Sequence, residues 1–441
     1  MKIQYFIAFF LVVVQVAVPT YAQLLNDVTN RFNAIPNENS HFYISVRSDF
    51  PKSDIKGSNH FQGVQLIRYG TDDHFVVSAS GKSAGYIFLF DRMHGQQIKL
   101  KMYNDPNKSD EEGYVSVVDT EFTHAGGIQL IANILVVPVE KGTSSKVYFY
   151  DMSEKGKAKR LSTVIDRTQG DLRAEAGAVG IAKEANGRYI TVVGRNDSNI
   201  LDFYRSTGTM LTNTTFQHLS TWRESELIGG DNEFGNYQNL NLIREEGTDT
   251  LYMIGMHNNS VAGLGRDWAD LFKITIGSGS EPVGIEKVAK KHMKSRDLKL
   301  NFDAGTGVYV YDKHTIGIYA VSGNVSSNRL TFNEFFKDPG RTESFIHLYD
   351  DKNFQDRVYR MNGDAIKDIS NYKNIIASGK RGFGDKVSSV RFKLPKGKVY
   401  TLYEHDRFGG DKYPLFGTGE VVELNELKGF NDDVSSSRMT K

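Results

Sequence analysis

Short apolar runs separated by polar, glycine-bearing turns recur along residues 41–336. Phe61-Gln-Gly-Val-Gln-Leu-Ile67, Ala125-Gly-Gly-Ile-Gln-Leu-Ile131 and Tyr237-Gln-Asn-Leu-Asn-Leu-Ile243 align position for position. A second run follows each within about a dozen residues: Phe75–Ser80, Ile134–Val139 and Leu251–Met256. A third ends each copy, at Tyr86–Asp91, Lys146–Asp151 and Asp270–Ile274. Two looser copies occupy Ala178–Arg205 and Gly307–Phe336, and His41–Arg47 stands alone as a spare run at the front. Apolar residues at i, i+3, i+4 are nearly absent, so helices are not expected. Runs this short, bounded by turn residues, read as strands.

The period is about 50–65 residues, with three or four strands in each copy. Such a repeat fits the blade of a β-propeller better than an irregular β-sandwich. About five blades are predicted within residues 23–340, and the His41–Arg47 strand is expected to close the ring beside the last copy. Pairing the two chain ends in one blade hides edges that would otherwise recruit other chains.

The alignment also predicts a ring of polar side chains. His60, His124, Glu175 and Asn236 stand at the entry to successive inner strands, with Asp303 as the nearest counterpart in the last copy. Imidazole and carboxylate groups around one mouth of a channel could hold a divalent metal or a ligand, or act as acid and base. A solvated channel lining with hydrogen-bonded waters accounts for the same residues without chemistry. Gly63, Gly126, Gly127 and Gly177 beside the ring are expected to let the blades converge.

The pattern changes after Asp338-Pro-Gly340. Two units follow. The first opens Phe345-Ile-His-Leu-Tyr349-Asp-Asp-Lys-Asn-Phe354-Gln-Asp356 and closes Gly384-Asp-Lys-Val-Ser-Ser-Val-Arg391. The second opens Val399-Tyr-Thr-Leu-Tyr403-Glu-His-Asp-Arg-Phe408-Gly-Gly410 and closes Asn431-Asp-Asp-Val-Ser-Ser-Ser-Arg438. Residues 341–441 thus resemble the microbial βγ-crystallin family, whose Greek-key motifs pair an aromatic–x4–Phe–x–Gly hairpin with a later [Asn/Asp]-[Asn/Asp]-x-x-[Ser/Thr]-Ser loop. The fold class implied for the whole chain is all-β: a propeller of about five blades followed by a two-motif Greek-key domain.

The resemblance implies calcium binding, and the residue types suit it. Ca²⁺ is a hard cation that takes six to eight oxygens. Each closing loop offers a carboxylate (Asp385; Asp432), a backbone carbonyl (Lys386; Asp433) and a hydroxyl (Ser388; Ser435), with Asn431 leading the second loop. Family practice completes each site from the hairpin of the other motif, which would place Asp406 with Asp385 and Lys352 with Asp432. Three positions depart from the pattern. Gly384 has no side-chain oxygen, Lys352 can give only its carbonyl, and Asp356 stands where the hairpin normally has Gly, a position that favours positive φ.

The front of the chain adds a compartment. Met1-Lys2, the apolar run Phe6–Val18 and Thr20-Tyr21-Ala22 before Gln23 have the three-part layout of a secretory leader over residues 1–22. The apolar run is shorter than the roughly 20 residues that span a bilayer. A secreted or extracytoplasmic protein is expected, periplasmic in a Gram-negative source, without stable membrane insertion. Lys plus Arg is 54 and Asp plus Glu 53, so no basic footprint for nucleic acid exists. Cys is absent, which excludes disulfides, thiolate metal sites and Cys nucleophiles. Sequences of the H-E-x-x-H, G-x-S-x-G and Walker types are missing as well. Two functions follow. The favoured one is a secreted calcium-binding protein whose propeller meets an extracellular glycan or protein ligand and whose last domain gives calcium-dependent stability or adhesion. The alternative is a secreted hydrolase of glycans or phosphoesters working at the ring of His60, His124, Glu175 and Asp303.

Overall fold

Among the described residues the protein is all-β apart from one α-helix, Val28–Ala34, and a few single 3₁₀ turns. The computed structural model describes residues 23–37, 40–46, 54–55, 61–69, 72–91, 97–98, 100–102, 113–195, 197–228, 234–261, 264–277, 282–294, 302, 305–336, 344–362, 366–377, 380–419 and 421–441. The leader expected at 1–22 lies outside these residues.

Five antiparallel units of four strands follow one another. The first is Phe61–Tyr69, Asp72–Ser80, Gly85–Asp91 and Gly113–Asp119. The second is Gln129–Ile131, Ile134–Lys141, Ser144–Glu154 and Lys157–Arg167. Ala178–Lys183, Tyr189–Arg195, Ile200–Ser206 and Phe216–Arg223 form the third. Asn239–Glu245, Leu251–Val261, Leu264–Ile276 and Pro282–Met293 form the fourth. The fifth takes Gly305–Asp312, Thr315–Val321 and Arg329–Phe335, and its outer strand is Ser40–Val46 from the front of the chain. The spare run therefore pairs where the repeat placed it.

Burial follows position in the unit. First strands are covered on both faces: Phe61 to Ile67 are all buried. They consequently read as continuous apolar runs, as strands buried on two sides do. The outer strand Lys157–Arg167 has one covered face and alternates buried with exposed positions over its second half. Apolar clusters lie between consecutive units. Leu135 and Val137 of the second unit pack on Ile87 and Leu89 of the first. Ile254 and Leu271 of the fourth pack with Ile318 and Ala320 of the fifth and with Val28 and Phe32 of the helix. Phe332 and Tyr319 of the fifth pack with Phe75 and Phe90 of the first. The last contact is reinforced by a parallel bridge between Thr306 and Gly63, which makes the first and fifth units one continuous ten-stranded sheet.

The C-terminal region holds two sheets. One orders its strands Gln355–Asn362, Phe345–Asp351, Ser389–Lys393 and Val421–Leu424; the other orders Gly409–Phe416, Val399–His405 and Ser436–Met439. Val421–Leu424 belongs by sequence to the second motif but pairs in the sheet of the first. In return, Ile369 of the first motif bridges Ser437 of the second. Leu348, Val390 and Phe392 from one sheet meet Tyr400, Leu402 and Leu415 from the other in a common core. The buried Ser437 hydroxyl lies 2.6 Å from the Tyr372 hydroxyl and 2.7 Å from that of Tyr400, which pins the exchange.

Candidate functional site

Three of the five polar residues expected at the strand entries, His124, Glu175 and Asn236, fall among the described residues. His60 and Asp303 lie outside them. His124 opens the second unit, where the register sets it opposite Glu140; its Nδ1 is 2.9 Å from Glu140 Oε1. The other Glu140 oxygen accepts the Ala176 N–H at 2.7 Å. His124 and its partner thus fasten the second unit to the chain entering the third. Glu175 is half-buried beside that joint, and Asn236 is exposed. Among the described residues, no group of three or more His, Asp or Glu side chains is placed to hold a metal ion.

A different set of aligned residues meets at the centre. Gln65, Gln129 and Asn241 occupy one position of the aligned strands, and all three are buried. Gln65 donates to the Ile128 carbonyl at 3.2 Å and to Asn241 Oδ1 at 3.0 Å, and its own oxygen accepts from the Leu130 N–H. Gln129 donates to the Leu242 carbonyl and to Gln23 Oε1, and accepts the N–H groups of Ile181 and Leu242. Asn241 Oδ1 accepts from the Val308 N–H. Gln23 closes the circuit by donating to the Leu130 carbonyl at 2.6 Å. Three side-chain amides and Gln23 thereby tie all five units together. The room comes partly from Gly307: a Cβ there would stand 1.7 Å from the Val64 carbonyl oxygen and 2.5 Å from Gln65 Nε2. The repeated Gln-x-x pattern held this signal, because an amide kept at a fixed position in an otherwise apolar strand needs a buried partner.

The C-terminal loops are built as near-copies. In each hairpin the aromatic and Phe positions meet edge to face: Tyr349 with Phe354, and Tyr403 with Phe408. Both turns use the left-handed region, at Asn353 and Phe354 in one and Arg407 and Phe408 in the other. Asp356 has φ 57° where its counterpart Gly410 has φ 74°, so the carboxylate residue adopts the conformation the family gives to Gly. Each turn is held by the first Ser of a strand: Ser389 Oγ accepts from the Phe354 N–H and donates to the Asp351 carbonyl, and Ser436 Oγ does the same for Phe408 and His405.

Asp385 (φ 53°) and Asp432 (φ 60°) are also left-handed. That backbone turn aims them across the domain. Ser435 Oγ donates to Asp385 Oδ1 at 2.6 Å, and Ser388 Oγ donates to Asp432 Oδ1 at 2.8 Å. Each carboxylate thus meets the hydroxyl of the opposite loop. The physical reason is the crossed backbone pairing, in which the Asp385 N–H bonds the Val434 carbonyl and the Asp432 N–H bonds the Val387 carbonyl. Ser435 is bonded to the Tyr403 carbonyl of the hairpin that carries Asp406, and Ser388 to the Tyr349 carbonyl of the hairpin that carries Lys352.

The remaining side chains fall in place around these pairs. Asp406 Oδ2 accepts from Asn371 Nδ2 at 2.8 Å, while its buried Oδ1 has no hydrogen-bond partner. Asn431 Nδ2 donates to Asp432 Oδ2, and its buried Oδ1 is likewise unpartnered. The Lys352 ammonium turns outward to Glu426 at 2.7 Å, which leaves its backbone free of that charge. Lys386 and Asp433 are exposed. At the far side of the first hairpin, burial raises the pKa of Asp350, against the Arg357 guanidinium 2.7 Å away.

Solved βγ-crystallin domains are similar to this chain. A domain from Clostridium beijerinckii is 19% identical, covers 21% of this chain and 94% of its own, and has a TM-score of 0.16. One from Flavobacterium johnsoniae is 27% identical, covers 22% of this chain and 92% of its own, and has a TM-score of 0.16. A structure described under the evolution of the eye lens βγ-crystallin domain fold is 24% identical over 23% of this chain and 86% of its own, with a TM-score of 0.18. No protein-family model and no curated protein matches the chain.

Proposed function

We propose that the protein is an exported calcium-binding protein. In this reading the five units form a five-bladed β-propeller that carries a surface for an extracellular glycan or protein ligand. The last domain is a βγ-crystallin-like module that gives calcium-dependent stability or adhesion. The apolar contacts from each unit to the next, and the Thr306–Gly63 bridge from fifth to first, support a closed ring.

The crossed Asp–Ser pairs carry the calcium reading. Two loops each bring a carboxylate and a hydroxyl within 2.8 Å, beside a hairpin, with a buried Asp406 oxygen and a buried Asn431 oxygen left unpartnered. Buried acceptors without donors are rare in folded proteins and call for a partner. A hard cation seeks such oxygens. Asp385, Ser435 and Asp406 would hold one ion, with Asp432, Ser388, Asn431 and the Lys352 carbonyl at the other; Lys386 and Asp433 would offer carbonyls. Bound calcium supplies charge neutralisation and a cross-link between the two motifs, and a ligand that binds only the folded state stabilises it.

The test is calorimetric titration of the full exported chain with calcium, alongside its thermal unfolding. Saturable binding and a higher Tm reversed by chelator are expected, with both lost in the Asp385→Ala/Asp432→Ala double variant. An unchanged melting curve at millimolar calcium, with no heat of binding, defeats the reading.

A further inference from the structure

The third unit contains a buried cationic centre that the calcium reading does not use. Arg167 ends the outer strand of the second unit, and its side chain crosses to the third; it is fully buried. Its Nη2 donates to Asp202 Oδ2 at 2.7 Å. Its Nε and Nη1, equally buried, have no hydrogen-bond partner, and the Tyr204 ring lies against the guanidinium, 5.7 Å from its carbon. Arg195 approaches the same carboxylate, with Nε 3.2 Å from Oδ2 and Nη2 3.4 Å from Oδ1. Thr221 Oγ1 donates to Asp202 Oδ1 at 2.6 Å, and the His218 ring sits behind it, 3.1 Å from that hydroxyl. The strand register forces this gathering, because Asp202 pairs with Thr221 on one side and with Val193 on the other, two residues from Arg195.

One carboxylate cannot serve all of these donors. Two guanidiniums face one carboxylate, so the trio of Arg167, Arg195 and Asp202 has a formal charge of one positive unit. Burial and the adjacent guanidiniums lower the pKa of His218 despite Asp202, so the imidazole adds little charge near neutrality. A buried charge without compensation costs several kcal/mol, and the two bare N–H groups of Arg167 add the cost of unmade hydrogen bonds. An anion removes both costs, whereas water removes only the second. Arg195 and His218 are each about a quarter exposed, which gives a path from solvent to Asp202 and Arg167, themselves nearly sealed.

We propose that this centre binds a small monovalent inorganic anion of the chloride class, held by the Arg167 guanidinium with Arg195 as the second cation. The site would act as an anion-dependent rivet between the second and third units.

Chloride is the probe, with the full chain held at constant ionic strength by exchanging sodium chloride for sodium gluconate. Saturable broadening of the ³⁵Cl resonance is expected, together with a Tm that rises with chloride and levels off. In Arg195→Gln, which removes the excess charge but leaves the buried Arg167–Asp202 pair, the broadening should vanish and the Tm should no longer distinguish the two salts. Arg167→Met should behave likewise if it folds; the Arg195 variant decides the matter if it does not. Linear, unsaturable broadening, equal Tm in both salts, or an unchanged chloride response in Arg195→Gln overturns the proposal and leaves ordered water as the occupant.

Discussion

The centre of the five units and the loops of the C-terminal domain are both polar clusters at places where chain segments cross, but they are finished differently. At the centre, every side-chain oxygen of Gln23, Gln65, Gln129 and Asn241 accepts from another of these amides or from a backbone N–H, and Asn241 Nδ2 is the one polar atom of the four side chains left without a partner. In the loops, Asp406 Oδ1 and Asn431 Oδ1 are buried with no donor. Satisfied buried networks rigidify a fold, and unsatisfied ones invite a partner. The contrast is between buried oxygens that already have donors and buried oxygens that have none.

The largest expected effect tests the first half of that contrast. Gln129→Ala would strand the Ile181 and Leu242 N–H groups and the Leu242 carbonyl in a dry interior. At about 1–3 kcal/mol for each of these three orphaned groups, roughly 3–9 kcal/mol should be lost. Urea unfolding measures it, and a loss below about 1 kcal/mol would mean that the network is dispensable. Calcium should leave this loss unchanged.

The second half of the contrast makes the converse forecast for the loops. Without calcium, Asp385→Ala and Asp432→Ala should each cost only about 1 kcal/mol, the worth of an ordinary hydrogen bond from Ser435 or Ser388. With calcium a hundredfold above its Kd, the wild-type chain should gain about 2.7 kcal/mol for each site filled, and each variant should forfeit the gain of its own site. Thermal melts with and without chelator read the difference. A large calcium-independent loss in either variant would put the loops in the same class as the centre.

Acid should divide the two regions by sign. Asp91, between the first and second units, is buried, which opposes ionisation. The hydrogen bond and charge of His74, with help from Lys155, nevertheless hold its pKa down to about 2. A depressed carboxylate contributes stability that is complete above its unfolded pKa of 3.8 and lost as pH falls through about 2, a term of about 2 kcal/mol. Asp91→Asn should flatten that acid limb. Asp350, in the C-terminal domain, has a raised pKa, so the folded state binds its proton first and this group favours folding as pH falls. Asp350→Asn should therefore remove a contribution of opposite slope; matching slopes in the two variants would refute the assignment.

The smallest effect belongs to Lys352. Its ammonium pairs with Glu426 at the surface, and exposed pairs contribute little. Lys352→Ala should leave both the melting midpoint and calcium binding unchanged within error, because only the backbone carbonyl is asked to face the ion. Loss of binding would show that the side chain, through Glu426, positions the hairpin.

Much of the architecture could be read from residue pattern because buried strands of one repeat must look alike. The runs at Phe61, Ala125 and Tyr237 hold the first strands of their units, and the strand Ser40–Val46 pairs with the last copy because an unpaired edge needs a neighbour. The hairpins of the C-terminal domain were equally legible, since Tyr–x4–Phe fixes both the aromatic contact and the left-handed turn. What escaped was anything set by distance across the fold. The sequence did not show that the register sets His124 opposite Glu140. The Gln65, Gln129 and Asn241 amides stood in the alignment in plain view; their meaning needed the knowledge that five strands approach one point. The crossed Asp–Ser pairs escaped for the same reason, because spacing within a loop says nothing about which loop lies opposite.

Gln23 gives the protein a handedness for the engineer. Its side chain is sealed at the meeting point of the inner strands, and Leu24–Leu25 runs as a parallel strand beside Arg244–Glu245. Lys441, by contrast, is exposed. A fluorophore, affinity tag or surface tether placed after Lys441 can be carried without touching any buried contact. The same attachment made directly ahead of Gln23 would adjoin a buried side chain, and its length and polarity would become variables of folding rather than of labelling.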